Sequence, residues 1–216
     1  MLRMDPSLLI TRVVTLLIAF TCHEFSHALA AVLLGDDTPK RDGRLSLNPL
    51  RHLDPWGSLL LIFAGFGWAK PVRVDPYAVT RKTKAGMMLV AAAGPCANFV
   101  LACIAALLLR SGIIPNVQPF GLSWMPRTIY ALRQFIMINL SLLVFNLVPL
   151  RPLDGEKVLG YFIPSSFRGT WSRIQSYGQQ ILMLCFFLLP YLNINFAHDL
   201  VSGIAFSLYR MLTGGY

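Results

Sequence analysis

Three long apolar stretches constrain this chain more than any other feature of its sequence. They cover residues 8–34, 85–109 and 127–150. A helix needs about 20 consecutive apolar residues to cross a bilayer, and it satisfies its own backbone hydrogen bonds there. Each stretch therefore predicts a membrane-spanning α-helix. The charged fraction supports this interpretation, because it is only 13%, whereas a soluble domain carries about 25%.

Shorter segments complete the predicted fold. Residues 178–192 form a fourth apolar stretch, and residues 196–212 form a fifth that would span, re-enter or lie on the membrane. Residues 56–68 are apolar but too short to cross, which predicts a re-entrant or interfacial segment. Residues 44–47 are β-prone and favour a short strand or hairpin. We expect an all-α polytopic membrane protein with 4–5 membrane segments, forming a single domain over residues 1–216.

The positive charges indicate how the chain is oriented. The net charge is +9, and the basic residues lie between the apolar stretches, which favours a membrane surface over nucleic acid. Residues 35–84 hold nine Lys and Arg and residues 151–178 hold four, against three on the opposite side. Because basic loops stay in the cytoplasm, both segments are predicted to be cytoplasmic.

One motif in the first span has the residue types of a metal site. His23-Glu24-Phe25-Ser26-His27 follows the pattern H-E-x-x-H. Residues i and i+4 share one helix face, so both imidazoles are able to bind one zinc ion. Glu24 is then placed to act as general base on a metal-bound water. Simple packing is a weak alternative, because such polar residues are costly inside a membrane.

A zinc hydrolase needs a third protein ligand, because catalytic zinc keeps three ligands and an open position. The acidic residues close to the ends of the second and third spans are Asp154 and Glu156. Pro149 and Pro152 would break the third helix, and the unwound chain would turn the Asp154 carboxylate inward. The alternative is that Asp154 only caps the helix that follows. Local sequence leaves both roles open.

Three motifs together resemble the site-2 protease family of intramembrane metalloproteases. They are His23-Glu24-x-x-His27, Gly94-Pro95-x-x-Asn98, and N-x-x-P-x4-D-G from Asn146 to Gly155. The connecting sequences of residues 47–50 and 68–72 are similar to those of small bacterial members, and there is no room for an inserted peptide-binding domain. The resemblance covers residues 8–178.

This resemblance implies a zinc-dependent endopeptidase that cleaves peptide bonds within or next to membrane-spanning segments. It implies one Zn²⁺ per chain held by His23, His27 and Asp154, with Glu24 as general base and acid. The active site would face the cytoplasm, in the inner membrane of a bacterium. The expected partners are membrane-spanning protein or peptide substrates and the lipid bilayer, with no nucleic acid, and the oligomeric state is left open.

Two asparagines within the spans need hydrogen-bond partners. Asn98 and Asn146 either bind the substrate strand or an oxyanion, or join one span to another. Their positions inside the family motifs favour substrate binding. Gly94 and Pro95 are expected to loosen the second span so that it approaches the site.

Other functions have weaker support. A zinc transporter would need metal ligands along a path, and an inactive protease-like protein would normally lack Glu24. A membrane-anchored zincin acting on soluble peptides would need a catalytic domain outside the bilayer. His52 and Asp54 are expected to build a turn or gate the substrate, and His198 to lie at the membrane interface.

Overall fold

The structure is a computed structural model that describes residues 6–54, 57, 69–118 and 126–215, without the side chain of Phe187. In chain order its α-helices are α1 (Pro6–Leu33), α2 (Thr38–Arg41), α3 (Pro76–Lys82), α4 (Gly86–Arg110), α5 (Thr128–Asn146), α6 (Asp154–Phe162), α7 (Arg168–Ser176), α8 (Gly178–Met183), α9 (Leu189–Tyr191) and α10 (Phe196–Thr213). Two 3₁₀ turns cover Pro49–Arg51 and Ser165–Phe167, and a π-helix over Leu184–Leu188 joins α8 to α9.

Helices α1, α4 and α5 are each long and apolar enough to cross a membrane. They contain 28, 25 and 19 residues respectively, and a helix rises about 1.5 Å per residue. Their bounds agree with the predicted spans to within a few residues, except that α5 ends at Asn146 rather than near residue 150. The prediction of an all-α polytopic membrane protein is therefore confirmed.

The last two apolar segments form a bent pair. Residues 178–191 and helix α10 meet at an angle of 99°, and only together do they have the length and hydropathy of one span. The backbone of Asn193 lies between them with a φ of 59°, a left-handed conformation that Asn tolerates better than most residues. In the described ranges this makes three spans, or four if the bent pair counts as one.

Small side chains bring the central helices together. Ala102, Ala105 and Ala106 of α4 pack against Ile136 and Leu140 of α5, and all five are buried. Helix α10 adds its own alanine to this cluster, at position 205. Association within a membrane depends on such close packing, because lipid is as apolar as the side chains. Helix α4 also packs along α1, so it lies between the first and third spans.

Residues 44–47 do not form the strand or hairpin that their β-prone sequence predicts. The carbonyl of Ser46 instead accepts a hydrogen bond from the His52 side chain, with 2.7 Å between the oxygen and Nε2. Arg44 donates to the Arg51 carbonyl at 2.6 Å and holds the chain in a turn. The predicted re-entrant segment, residues 56–68, lies outside the described residues except for Gly57.

Candidate metal centre

The two histidines of the first span face each other at the centre of the bundle. His23 and His27 lie one turn apart on α1 and are both buried. Their Nε2 atoms are 3.0 Å apart. Spacing on one helix face is what the H-E-x-x-H pattern predicts, because residues i and i+4 are neighbours on an α-helix.

Asp154 reaches the same point from the other side of the bundle. Its Oδ2 lies 3.1 Å from His23 Nε2 and 3.2 Å from His27 Nε2. Burial raises the pKa of Asp154, but its contacts with the two imidazoles hold that pKa well below the usual range. Asp154 is the first residue of α6, whose N-cap is Leu153 with no side-chain cap hydrogen bond. The capping role therefore has no support in the structure.

A turn of tightly packed backbone brings Asp154 to this position. Helix α5 ends at Asn146, and the chain turns over residues 147–153 before α6 begins. A Cβ at position 155 would lie 2.2 Å from the Leu147 carbonyl oxygen. Only Gly155 allows α6 to approach the end of α5 this closely. The D-G pair of the motif thus combines a carboxylate with the residue that lets it reach the histidines.

The three donor atoms suit a zinc ion. In a tetrahedral site with bonds of about 2.0–2.2 Å, neighbouring ligand atoms lie about 3.3–3.5 Å apart. The atoms of His23, His27 and Asp154 are separated by 3.0–3.2 Å, so a small movement apart would give them the spacing of such a site. Two imidazoles and a carboxylate form a donor set that zinc accepts. Within residues 6–54, 57, 69–118 and 126–215, no other cluster of His, Cys, Asp or Glu has this geometry.

Gly94 leaves room for the centre. A Cβ at this position would lie 2.4 Å from His27 Nε2 and 2.6 Å from His23 Nε2. The expectation that Gly94 and Pro95 loosen the second span is wrong, because α4 continues unbroken through both residues. The helix approaches the site because it has no side chain at position 94, and it does so without unwinding.

Hydrogen bonds from behind orient both rings. His27 Nδ1 pairs with the Val90 carbonyl at 2.7 Å, and His23 Nδ1 pairs with Asn98 Oδ1 at 2.7 Å. Asn98 has no exposed surface, and its amide nitrogen donates to Asn139 at 3.0 Å. Asn98 therefore joins spans and supports His23, and the predicted contact with substrate has no support here. Sequence reasoning missed Asn139, although an Asn within an apolar span is itself a signal.

A cavity of about 360 Å³ opens beside the three donor atoms. Glu24 lines it, and one of its carboxylate oxygens accepts a hydrogen bond from the Val72 N–H at 3.2 Å. Asn146 also lines the cavity, where its amide nitrogen donates to the Leu142 carbonyl. Of the two asparagines singled out in the sequence, Asn146 is the one that a bound substrate would be able to reach.

The other polar residues considered from sequence lie elsewhere. Glu156 is 3.2 Å from the guanidinium of Arg151 and is not part of the metal group. His52 is buried in the turn that it holds through Ser46, which agrees with a turn-building role. Asp54 accepts a hydrogen bond from the Gly57 N–H. His198 is exposed on α10, and its place at the membrane interface stays a prediction.

Membrane helices around a His-His-Asp centre define the class of a polytopic metalloprotease, and relatives agree with it. The chain is 40% identical over 178 residues to YwhC of Bacillus subtilis (strain 168), covering 81% of this chain and 78% of that protein. It is 32% identical over 151 residues to Rip2 of Mycolicibacterium smegmatis, covering 66% of this chain and 53% of that protein. It is also 29% identical over 182 residues to Rip2 of Mycobacterium tuberculosis (strain H37Rv).

Each of these relatives carries the name "Putative zinc metalloprotease". The chain spans about half the length of the Mycolicibacterium smegmatis relative. No family model matches the sequence, and no solved structure matches it. This chain belongs to the family of zinc metalloproteases that includes YwhC, because identity and coverage are both high across most of the two proteins.

Proposed function

We propose that this metalloprotease is an intramembrane endopeptidase of the site-2 protease type, which cleaves peptide bonds within or next to membrane-spanning segments of its substrates. The observation that supports this most directly is the position of the His23–His27–Asp154 group. Two of its residues belong to a 28-residue apolar helix, and the third lies just beyond another span. A protease for soluble peptides would have no reason to bury its centre among such helices.

The chain's own residues divide the chemistry between them. His23, His27 and Asp154 would hold one zinc ion, which would activate water and polarise the scissile carbonyl. Glu24 lines the cavity beside these donor atoms. It would take a proton from the attacking water and return a proton to the leaving amine. Asn146, on the same cavity, would bind the substrate backbone or the developing oxyanion.

The substrate must enter this cavity as extended chain. A helix hides its carbonyls in its own hydrogen bonds, so the scissile bond becomes accessible only after local unwinding. Apolar residues such as Phe20, Leu142 and Phe145 line the cavity together with the polar site. They suit the apolar side chains of an unwound membrane segment. Substrates would therefore be single-span proteins or peptides with helix-breaking residues near the cleavage position.

The proposed location is the inner membrane of a bacterium, with the active site toward the cytoplasm. Residues 35–84 and 151–178 carry most of the Lys and Arg. His23 and His27 lie in the second half of α1, which leads into the first of these basic segments. Asp154 lies at the start of the second basic segment. The charge pattern and the position of the donor atoms therefore favour the same face of the membrane.

Cleavage by purified protein tests the proposal. The full chain in detergent would be incubated with a panel of single-span substrates, with and without a zinc chelator. We expect chelator-sensitive cleavage within or beside the apolar segment of at least one substrate, mapped by mass spectrometry. Cleavage confined to soluble peptides would contradict the intramembrane assignment, and zinc transport into vesicles without any proteolysis would contradict the enzymatic one.

A further inference from the structure

We propose that Asn139 is a positioning residue for the metal centre. Through Asn98, it keeps the proton of His23 on Nδ1, so that Nε2 faces the centre with a free lone pair. This inference rests on the proposed function only in that the lone pair of His23 Nε2 would bind the zinc ion. The hydrogen bonds on which it depends lie within the chain and involve no metal.

The orientation of Asn139 is set by a backbone carbonyl. Its side-chain nitrogen lies 2.9 Å from the Phe135 carbonyl oxygen, one turn earlier on α5. A carbonyl only accepts hydrogen bonds, so the NH₂ end of the amide must face Phe135. The oxygen of Asn139 must then point the other way, toward Asn98. Because Asn139 has no exposed surface, water is not available to satisfy a reversed amide.

The hydrogen bond to Asn139 sets the orientation of the Asn98 amide. The nitrogen of Asn98 donates to Asn139 Oδ1 at 3.0 Å and also faces the Ala19 carbonyl at 3.4 Å. A reversed Asn98 amide would place its oxygen against two acceptors. The Ala19 contact is longer than an ordinary N–H···O hydrogen bond of about 2.7–3.2 Å. Asn139 therefore supplies the stronger of the two restraints.

The proton of His23 follows from the orientation of Asn98. Asn98 Oδ1 lies 2.7 Å from His23 Nδ1, and an oxygen acceptor requires the proton to be on Nδ1. The Nε2 atom of a neutral His23 is then an unprotonated acceptor that faces His27 Nε2 and Asp154 Oδ2. Val90 does the same for His27 directly, through its carbonyl. Three lone pairs that converge without a proton between them are stabilised by a cation.

The two rings therefore differ in what holds them. A backbone carbonyl fixes His27, and no side-chain substitution removes it. His23 depends on a relay of two amides, which a substitution at position 139 interrupts. This difference supplies an internal reference, because a change that acts through the relay should alter His23 and leave His27 as it is.

The test uses full-length, metal-free protein in detergent, labelled with ¹⁵N in its histidines. Proton–nitrogen correlation spectra distinguish the two tautomers, and single His variants assign the signals. At a pH where both rings are neutral, His23 and His27 of the unsubstituted chain should carry the proton on Nδ1. Asn139→Leu should give His23 a measurable population with the proton on Nε2, whereas His27 stays unchanged. Asn139→Asp in its protonated form donates to the Phe135 carbonyl and keeps an acceptor for Asn98, so it should behave as the unsubstituted chain.

Zinc affinity, measured by competition with a chelator, is the second readout. Losing a partner that orients a ligating histidine costs about 10–100-fold in metal affinity, so Asn139→Leu should weaken binding about tenfold. Asn98→Asp in the Asn139→Leu background should restore it, because a carboxyl group accepts from His23 without needing Asn139. A purely structural role for Asn139 would not be rescued in this way.

Unchanged His23 signals and unchanged zinc affinity in Asn139→Leu would overturn the inference. If that variant does not fold, Asn139→Ala, which only removes atoms, gives the same comparison. The tautomers are measured without metal or substrate. If Asn139→Leu leaves the His23 tautomer unchanged, the proposed protease function is therefore unaffected. If the His23 signals shift as expected in Asn139→Leu but the unsubstituted chain cleaves no substrate, only the proposed function would be overturned.

Discussion

The backbone N–H of Val72 donates a hydrogen bond to the carboxylate of Glu24, with 3.2 Å between the nitrogen and Oε2. Ala69, Pro71 and Val72 form one wall of the cavity that contains the His-His-Asp group. This hydrogen bond holds the Glu24 carboxylate against that wall, beside the donor atoms but outside their group. This position supports the proposed role of Glu24 as a base rather than a metal ligand.

Glu24→Gln should abolish cleavage and leave zinc bound. Glutamine has the same length and an oxygen that accepts from the Val72 N–H, but it has no carboxylate to take a proton. Removal of a general acid–base group lowers the rate by about 10²–10⁴-fold. His23→Ala, in contrast, should lose both activity and metal. Zinc content of the purified variants is measured beside cleavage, and equal zinc loss in both variants would make Glu24 a ligand.

Asp154→Asn should weaken zinc binding sharply and nearly eliminate cleavage. Its Oδ2 is one of the three converging donor atoms, and an amide oxygen is neutral. Glu156→Gln is the matched control, because Glu156 is paired with Arg151 and is not part of the metal group. That control should keep its zinc and its activity. An active, zinc-replete Asp154→Asn protein would mean that the third ligand comes from another residue.

The spans were predictable from sequence because apolar length alone determines whether a helix can cross a bilayer. The end of α5 was not predictable, because the sequence stays apolar through Leu150 although the helix ends at Asn146. The β-prone residues 44–47 were misjudged because side-chain hydrogen bonds hold this segment in a turn, from Arg44 to the Arg51 carbonyl and from His52 to the Ser46 carbonyl. Local propensity gives way where tertiary partners occupy the backbone.

For the site, the H-E-x-x-H pattern predicted that His23 and His27 would share one helix face. It was able to do so because the i, i+4 relationship is local. The structure also brings Asp154 to them, as the family resemblance implied, although no local rule sets that distance. The relay through Asn98 and Asn139 was not predictable, since it depends on how α4 faces both α1 and α5. Which side of a span faces the centre is set by packing between helices.

The proposed orientation predicts where introduced cysteines react. In a background without the four native cysteines, Lys40→Cys and Arg168→Cys should both be labelled by a membrane-impermeant thiol reagent from the cytoplasmic side. Both positions are exposed in the structure and lie in the two basic segments. Inside-out vesicles and intact cells provide the two arms of the measurement. Labelling from opposite sides would show that residues 56–68 cross the membrane.

Asp36 should make stability depend on pH. Its buried carboxylate accepts the backbone N–H of Thr38 at 2.9 Å and of Asp75 at 2.7 Å. Burial raises the pKa of Asp36, but these hydrogen bonds outweigh burial and lower the pKa below its ordinary value. A group with a lowered folded-state pKa stabilises the protein above its unfolded pKa of about 3.9, and this contribution is lost as the pH falls below it.

Asp36→Asn tests this pH dependence. An amide has one acceptor oxygen for two N–H groups, so one of these partly buried donors loses its partner, which costs at most about 1–3 kcal/mol. We expect a lower melting temperature at neutral pH and a smaller loss between pH 5 and pH 3, both followed by thermal unfolding in detergent. Asp37→Asn is the control, because Asp37 is exposed and its side chain makes no cap hydrogen bond. Identical curves for the two variants would refute the role of Asp36.

Gly94→Ala should damage the metal centre although it changes no donor atom. The new Cβ would lie 2.4 Å from His27 Nε2 and 2.6 Å from His23 Nε2, far inside van der Waals contact. The rings are unable to move aside freely, because Val90 and Asn98 hold both Nδ1 atoms. We expect zinc affinity to fall by more than about tenfold, by analogy with the loss of a group that orients a ligand.

Gly203→Ala separates this effect from helix propensity. Gly203 is an exposed residue of α10, and a Cβ there would meet no heavy atom of the described residues within 4 Å. Replacing Gly by Ala in a helix is worth up to about 1 kcal/mol of stability, so this control should be neutral or more stable, with full zinc affinity and activity. Gly94→Ala raises helix propensity by the same amount, but it should lower zinc affinity and proteolytic activity. If both variants bind zinc equally well, the bundle relaxes around position 94, and Gly94 is not what makes room for the centre.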